Sequence, residues 1–208
     1  IHEAEVTGVE KGELVRTTYS KNKKEYCLSS DSVIFSSGST DKLINKLFLD
    51  KIQKDYQHNA IACELVSDKY NSKTAYERFT NKGILGVIPR KENLWTLIYS
   101  TNKKETEIIK NFDQSEAKKY FQNLMGMKCG QLSEINNMKV YPLKMKYYKN
   151  FINENICLLG DAAHTLHPIA AQSFNLSLRD CAYLTDMIKN SDLSQKYNFN
   201  IIFDNYYK

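Results

Sequence analysis

Glycine is scarce in this sequence, and the few glycines present do not form a phosphate-binding loop. The 208 residues include eight glycines, none of them spaced as G-x-G-x-x-G, and neither a P-loop nor a G-x-S-x-G motif occurs. A dinucleotide pyrophosphate needs such glycines, because they let the backbone approach it at a helix N-terminus. The chain starts at Ile1 and stops at Lys208 within an expected helix, so we expect it to be part of a longer protein.

Long apolar runs and paired cysteines are missing as well. No apolar run approaches the roughly 20 residues that cross a bilayer, and no signal peptide is visible. The five cysteines are an odd number without a C-x-x-C pair, which predicts reduced, buried thiols. These absences argue against a membrane-spanning protein and against a disulfide-stabilised one.

Positive charge is not concentrated in one stripe. The net charge of +5 is spread along the chain in short lysine clusters, such as those at 21–24 and 102–105. Nucleic-acid-binding domains carry a basic stripe or an aromatic RNA-binding signature, and the sequence has neither. We interpret the clusters as solvated loops, with weak attraction to an anionic membrane surface left open.

The segment from Asn155 to Asn190 carries the strongest chemical pattern. A short apolar run at 155–159 ends at Gly160 and predicts a buried strand, and from about Gln172 apolar residues recur at helical spacing. Free N–H groups at the start of such a helix favour an anionic or electron-rich ligand in the preceding loop. The expected apolar face of the helix consists of Phe174, Leu176, Leu178, Cys181, Leu184 and Ile188.

The loop and the helix together, GDAAHTLHPIAAQSFNLSLRD, resemble the second flavin-binding motif of the FAD-dependent aromatic hydroxylases, the para-hydroxybenzoate hydroxylase family. The wording LHPIA-Q-FNL-LRD is most similar to the ubiquinone-biosynthesis branch, which hydroxylates polyprenylated phenols. The resemblance implies that Asp161 hydrogen-bonds the ribityl chain of FAD and that Pro168 lies beside the flavin ring. The amides of residues 171–175 would face the pyrimidine edge, where fixed N–H dipoles stabilise the negative charge of reduced flavin.

This resemblance defines a set of candidate cofactor-binding residues and assigns no catalytic acid or nucleophile. The candidates are Gly160, Asp161, Pro168, Ala171, Gln172, Ser173, Phe174 and Asn175. The chain departs from the family pattern at three positions, where Ala171, Ser173 and Ser177 replace glycine. A Cβ atom at 171 or 173 would crowd a bound flavin or strain the loop.

A second segment, 31–43, is similar to the family motif V-V-G-A-D-G-x-x-S-x-x-R, which lies near flavin and nicotinamide nucleotide. Gly38 fits the motif, whereas Ser37, Asp41 and Ile44 stand where it has Asp, Ser and Arg. An ordinary strand, turn and helix would have the same composition. Both interpretations predict the same local structure.

The remaining sequence is rich in strand patterns. Residues 2–30 predict consecutive hairpins, and four β-rich runs between His58 and Thr101 predict an antiparallel sheet. The runs at 75–79 and 83–89 resemble the substrate-domain sheet of the ubiquinone branch, which roofs the flavin in that family. The aromatic residues Tyr76, Phe79 and Trp95 can also be explained as core or cross-strand partners.

Further elements complete the expected fold. Residues 115–125 predict a helix that Ser115 or Asp113 caps and Gly126 ends. The run at 139–145 resembles the family's Y-P-L strand, and residues 198–208 predict a closing helix.

The whole pattern predicts a mixed α/β fold, with the C-terminal part of a Rossmann-like FAD-binding domain and an inserted antiparallel-sheet substrate domain. The expected divisions are 1–46 and 146–208 for the flavin domain and 47–145 for the substrate domain.

The resemblance implies an FAD-dependent monooxygenase that hydroxylates the ring of a polyprenylated phenol in ubiquinone biosynthesis, with NAD(P)H as reductant. Expected partners are the lipid-like phenol and a ubiquinone-biosynthesis assembly, without nucleic acid. The expected location is the cytoplasm or the membrane periphery, or the mitochondrial matrix in a eukaryote. Two alternatives stay open: a degenerate, non-catalytic homologue with a binding or assembly role, and a flavin monooxygenase or halogenase acting on another substrate.

A metal site is not expected. His164, His167 and Asp161 lie across a turn without an evident fourth ligand. We expect His164 to hydrogen-bond backbone in the loop.

Overall fold

The computed structural model describes residues 1–39, 41–70, 73–166, 172–191 and 198–207, and it consists of two compact units. Unit one comprises residues 1–54 and 144–208, and unit two comprises residues 55–143. Both units contain sheet and helix, so the predicted mixed α/β class is confirmed. The assignment of a flavin role and a substrate role to these parts stays a prediction.

Unit one begins with a three-stranded antiparallel meander. Its strands are β1 (Glu5–Glu10), β2 (Val15–Lys21) and β3 (Lys24–Ser30), in that order across the sheet. Asn22 and Lys23 connect β2 to β3 with φ angles of 53° and 61°, which suit the tight turn of a two-residue hairpin. The predicted consecutive hairpins are therefore confirmed.

The core of unit one surrounds a short parallel pair of strands, β4 (Val33–Phe35) and β11 (Ile156–Leu158). A further short strand, β10 (Ile152–Asn153), pairs antiparallel with β11. Because β11 is covered on both faces, its sequence reads as a continuous apolar run. Ile156 and Leu158 pack with the cluster that contains Val15 and Phe35. Cys157 points the other way.

The described residues of unit one include three α-helices. They are α1 (Lys42–Leu47), α4 (Gln172–Lys189) and α5 (Asn198–Tyr207). The helix α1 starts where Asp41 Oδ1 accepts the N–H of Leu43 at 2.8 Å, a standard N-cap. Leu184 of α4 packs with Ile202 and Phe203 of α5 on the Cys157 side of β11. The predicted helices in these three places are confirmed.

Unit two is built on an antiparallel sheet in the order β9-β5-β8-β7-β6. The strands are β5 (Lys51–Ser67), β6 (Tyr76–Thr80), β7 (Gly83–Pro89), β8 (Leu94–Asn102) and β9 (Leu132–Tyr148). Buried and more exposed residues alternate along β8, with Trp95, Leu97 and Tyr99 facing the core, as the period of two requires. The predicted antiparallel sheet is confirmed.

Two helices, α2 (Lys103–Lys110) and α3 (Gln114–Met125), cover one face of this sheet. The interpretation of 102–105 as a solvated loop is wrong, because Asn102 Oδ1 accepts the N–H of Glu105 at 2.9 Å and caps α2. Because the helix starts with lysines, the sequence pattern did not indicate its buried positions Thr106 and Ile109.

The helix predicted at 115–125 is α3, and predicted cap residues mark both of its ends. Asp113, rather than Ser115, is the N-cap of α3 and forms a capping box with Glu116. Gly126 ends the helix with a φ of 65°, as the sequence predicted. Such a positive φ favours glycine, because a Cβ atom is strained there.

The cysteines only partly meet expectation. All five are free; Cys63, Cys129 and Cys157 are buried, whereas Cys27 and Cys181 are exposed, so the prediction of buried thiols is wrong for these two. Burial raises the pKa of Cys63 and of Cys157 to about 12, which keeps both thiols protonated and unreactive. Among the helices of the described ranges, none is long and apolar enough to cross a membrane.

Candidate functional site

The candidate site begins at the tight turn that follows β11. Residues 160–162 form a single 3-10 turn, and Gly160 has a φ of 60°. A Cβ atom at Gly160 would lie 3.1 Å from Ser177 Oγ and 3.2 Å from Ser177 Cβ. Glycine is required here for two reasons, the left-handed backbone and the close approach of α4.

Asp161 lies on this turn and is held by the first turn of α4. Ser173 Oγ donates to Asp161 Oδ1 at 2.9 Å, and the N–H of Leu166 lies 3.4 Å from the same hydroxyl oxygen. Ser177 Oγ donates to the carbonyl of Ser173 at 2.9 Å. The Asp161 side chain is exposed, and its Oδ2 has no hydrogen-bond partner among the residues that the structure describes. One oxygen is therefore fixed and the other can accept from a ligand.

His164 does not bond backbone as expected. It lies in the short strand β12 (His164–Thr165), which pairs with residues 146 and 147 of β9. Its Nε2 lies 2.5 Å from Asp180 Oδ2, and its Nδ1 is buried without a partner in the part of the chain that the structure describes. The expectation failed because β12 places the ring against Asp180 in the middle of α4, an arrangement that the local sequence does not reveal.

The predicted cofactor-binding residues fall into three groups. Gly160, Asp161 and Ser173 are brought together by the contacts just described. Gln172, Phe174 and Asn175 are exposed on the first turn of α4. Two candidates, Pro168 and Ala171, lie outside the described residues, as does His167.

The second motif-like segment forms a strand, a turn and a helix, which both interpretations required. Ser37 Oγ donates to Asp41 Oδ2 at 2.5 Å. No sequence pattern pointed to a further contact of this segment: Lys146, 8% exposed, donates from Nζ to the carbonyl of Ser39. Burial lowers the pKa of Lys146, and the nearby charge of Lys51 lowers it further. Only the fold brings β9 to this turn, because 107 residues separate Lys146 from Ser39.

In unit two, the face of the sheet opposite the helices carries a group of exposed apolar side chains on β6, β7 and β8. Phe79, Ile88 and Ile98 are 70%, 46% and 36% exposed. Gly86 pairs with Ile98 across β7 and β8. Trp95 is a core residue and Tyr76 packs against the core, whereas Phe79 is exposed and fits the other interpretation, that of a cross-strand partner. Its cross-strand partner is Ile84.

Metal ligands do not cluster in the part of the chain that the structure describes. No group of three or more His, Cys, Asp or Glu side chains there could hold a metal ion. His167, which the sequence places near His164 and Asp161, lies outside those residues.

Comparison with known proteins gives one family match and several distant relatives. A family model described as FAD binding domain matches residues 18–190. The ubiquinone hydroxylase UbiM of Neisseria meningitidis is 25% identical over 138 residues, which cover 66% of this chain and 30% of that protein. The 3-demethoxyubiquinol 3-hydroxylase of Escherichia coli is 26% identical over 139 residues, covering 64% and 34%. The chain thus spans less than half the length of these curated relatives.

Solved structures share the fold at low sequence identity. The flavin-dependent halogenase CmlS has a TM-score of 0.74 and 18% identity, with 98% of this chain and 39% of CmlS covered. A ternary complex of aklavinone-11 hydroxylase with FAD and aklavinone has a TM-score of 0.70 and 15% identity, covering 89% and 36%. These matches confirm the expected fold, and the family model and the ubiquinone hydroxylases confirm the resemblance drawn from the motif.

Proposed function

The chain belongs to the FAD binding domain family, and from that premise we propose that it is the C-terminal portion of an FAD-dependent monooxygenase. The proposed reaction is hydroxylation of the aromatic ring of a polyprenylated phenol in ubiquinone biosynthesis. This choice of reaction is based on the motif of residues 160–180 and on the names of the relatives, UbiM among them. We further propose NAD(P)H as reductant, a ubiquinone-biosynthesis assembly as partner, and a location in the cytoplasm or mitochondrial matrix, at most peripheral to a membrane.

The observation that carries the proposal is the exposed carboxylate of Asp161 beside the start of α4. Gly160 lets the turn approach α4, and Ser173 holds one carboxylate oxygen at 2.9 Å. The other oxygen is available to accept a hydrogen bond from a ribityl hydroxyl, so the residues present fit FAD. When bound, FAD would supply the redox and oxygen chemistry of the reaction.

The first turn of α4 supplies a second fitting feature. The first N–H groups of a helix have no partner within the helix, and they stabilise negative charge placed before them. Gln172 and Asn175 are exposed at this turn. They and their backbone amides would bind and orient the pyrimidine edge without reorganising, which is what electrostatic stabilisation requires.

The group of exposed apolar side chains on the unit-two sheet supports the choice of substrate. An aromatic ring with a polyprenyl tail needs apolar surface, and Phe79, Ile88 and Ile98 provide it. These side chains would bind the apolar substrate and exclude water. No group that ionises the phenol is assigned.

The test is complementation of a cell that lacks a ring hydroxylase of ubiquinone synthesis, followed by quinone profiling. The full-length gene should restore ubiquinone, and the Asp161→Ala gene should restore little or none, with equal protein levels checked by immunoblot. A full-length, FAD-loaded protein that leaves the unhydroxylated intermediate untouched at every ring position would overturn the proposed substrate.

One observation favours a second candidate, a non-catalytic homologue with a binding or assembly role. Ser173 stands where the family pattern has glycine, and its hydroxyl already occupies one oxygen of Asp161. A full-length protein that is purified without FAD, and that does not quench added FAD fluorescence, would support this candidate. Halogenation gains support only from the shared fold, which carries no argument about substrate.

A further inference from the structure

Unit two contains a cavity of about 610 Å³ between its edge strand and the C-terminal end of α3. We name it the β6–α3 cavity. Its floor consists of four side chains that are at most 4% exposed, namely Leu85, Val87, Met125 and Cys129. These residues belong to the helix-covered face of the sheet, whereas Phe79 and its exposed apolar neighbours lie on the opposite face. The cavity is therefore separate from the surface proposed for the phenol.

The mouth of the β6–α3 cavity is cationic. Arg78 projects from β6 on the helix-covered face, since it pairs with Leu85 across the strands. Its Nη1 donates to the carbonyl of Leu124 at 2.7 Å, and no carboxylate of the described residues lies within 4.0 Å of its guanidinium. Lys128 lies on the same rim. Glu77 also lines the mouth, but alternation along β6 directs its side chain to the other face of the sheet.

We propose that the β6–α3 cavity binds an anionic single-chain amphiphile, a free fatty-acid-type carboxylate. The apolar chain lies on the floor, and the carboxylate accepts hydrogen bonds from the remaining guanidinium N–H groups of Arg78, whose planar fork matches a carboxylate. The volume lies within the roughly 300–1,000 Å³ of ordinary ligand pockets. Met125 and the exposed Met127 adapt to chains of different shape. This site does not depend on the proposed flavin chemistry.

The single tryptophan of the chain provides a direct measurement. Trp95 is fully buried, and its ring centroid lies 6.4 Å from that of Tyr76, which lines the cavity. Dibromostearate, added to the 208-residue chain below its micelle concentration, should quench Trp95 fluorescence saturably, because bromine quenches at short range. Stearate should reverse the quenching by competition, and the methyl ester of dibromostearate should bind at least about tenfold more weakly.

Two variants and a matched control locate the carboxylate. Arg78→Gln removes the charge but keeps an N–H donor for the Leu124 carbonyl, and it should weaken dibromostearate binding about tenfold. Met127→Glu, at a side chain that is 64% exposed, should also weaken binding by repulsion and has little structural cost. Lys119→Gln makes the same change of charge at an exposed position of α3 outside the cavity, and it should leave the affinity unchanged.

Three results of these titrations would overturn the proposal. They are absent or unsaturable quenching, equal affinity for the acid and its methyl ester, and full affinity in both Arg78→Gln and Met127→Glu. Anionic phospholipids also join acyl chains to an anionic head, which in them is a phosphodiester. Quenching by vesicles of dibrominated phosphatidylglycerol without quenching by free dibromostearate would therefore place the ligand in a bilayer and would also overturn the proposal.

Discussion

Unit two and the helix α4 of unit one use apolar residues in opposite ways. In unit two, the sheet and its two helices enclose a core in which Trp95, Tyr99 and Phe121 are fully buried. In α4, the described side chains include one buried residue, Leu184, while Phe174, Leu178 and Tyr183 are 64%, 52% and 53% exposed. The first region is a scaffold with a closed core. The second keeps its apolar and polar groups available beside the candidate flavin site.

The apolar residues that recur at helical spacing along α4 are therefore not all buried. Helical spacing identified the helix correctly, but Phe174, Leu178 and Cys181 of its expected apolar face are exposed. Periodicity reports which residues share a face of a helix, and it does not report what covers that face. An exposed apolar face beside a ligand turn is typical of a binding region rather than of a core.

The largest expected effect compares one substitution in the two regions. Phe121→Ala should lower the free energy of unfolding by about 3–5 kcal/mol, because it empties a fully buried site. Phe174→Ala should change it by no more than about 0.5 kcal/mol, because an exposed side chain loses little on truncation. Urea denaturation followed by circular dichroism measures both. Equal losses in the two variants would contradict the contrast between a closed core and an open helix.

The next effect concerns the ligand turn. In the full-length protein, Asp161→Ala should weaken FAD binding by about 1.5–3 kcal/mol, the cost of losing a hydrogen bond from a charged group. Titration of flavin fluorescence gives the dissociation constants. Asp186→Ala, at an exposed carboxylate later in α4, is a control for charge and should bind FAD like the parent. Equal affinity of parent and Asp161→Ala would remove Asp161 from the site.

Local chemistry made much of the fold predictable. A β-rich run between turns predicted β8, Asp113 was one of the two predicted caps of α3, and Gly126 predicted its end. Contacts across long sequence distances were not predictable, since nothing near Lys146 points to the Ser39 carbonyl and nothing near His164 points to Asp180. In the candidate site, the motif gave Gly160, Asp161 and Ser173 together. Their hydrogen bond was not foreseen, because it requires the turn and α4 to be in place.

A smaller effect tests how unit two is held at its edge. Glu105 accepts hydrogen bonds from Tyr120 Oη at 2.6 Å and from Lys82 Nζ at 2.9 Å. The Tyr120 hydroxyl, followed by Lys82, lowers the pKa of Glu105. Glu105→Gln should cost about 1 kcal/mol of unfolding free energy at pH 7. Glu107→Gln, in an exposed pair with Lys110, should cost close to nothing.

The pH dependence of that loss has a definite sign. A carboxyl group whose folded pKa is lowered stabilises the fold above its unfolded pKa of about 4.3, and this stabilisation is lost as pH falls through the folded pKa. The difference between parent and Glu105→Gln should therefore be constant near neutrality and shrink below about pH 4. Denaturant titrations at several pH values measure it. A difference that grows on acidification would show that Glu105 is not the stabilising group.

The smallest expected effect distinguishes an adapted site from a decayed one. Ser173→Gly restores the glycine of the family pattern and should cost only about 0.5 kcal/mol of unfolding free energy, from lower helix propensity and a lost hydroxyl contact. It also frees Asp161 Oδ1 from the Ser173 hydroxyl, so the full-length variant should bind FAD as tightly as the parent or more tightly. Ser177→Gly is the matched control, because it has the same propensity cost while Ser173 still holds Asp161. Weaker FAD binding in Ser173→Gly, with normal binding in Ser177→Gly, would mean that the serine positions the carboxylate for flavin rather than competing with it.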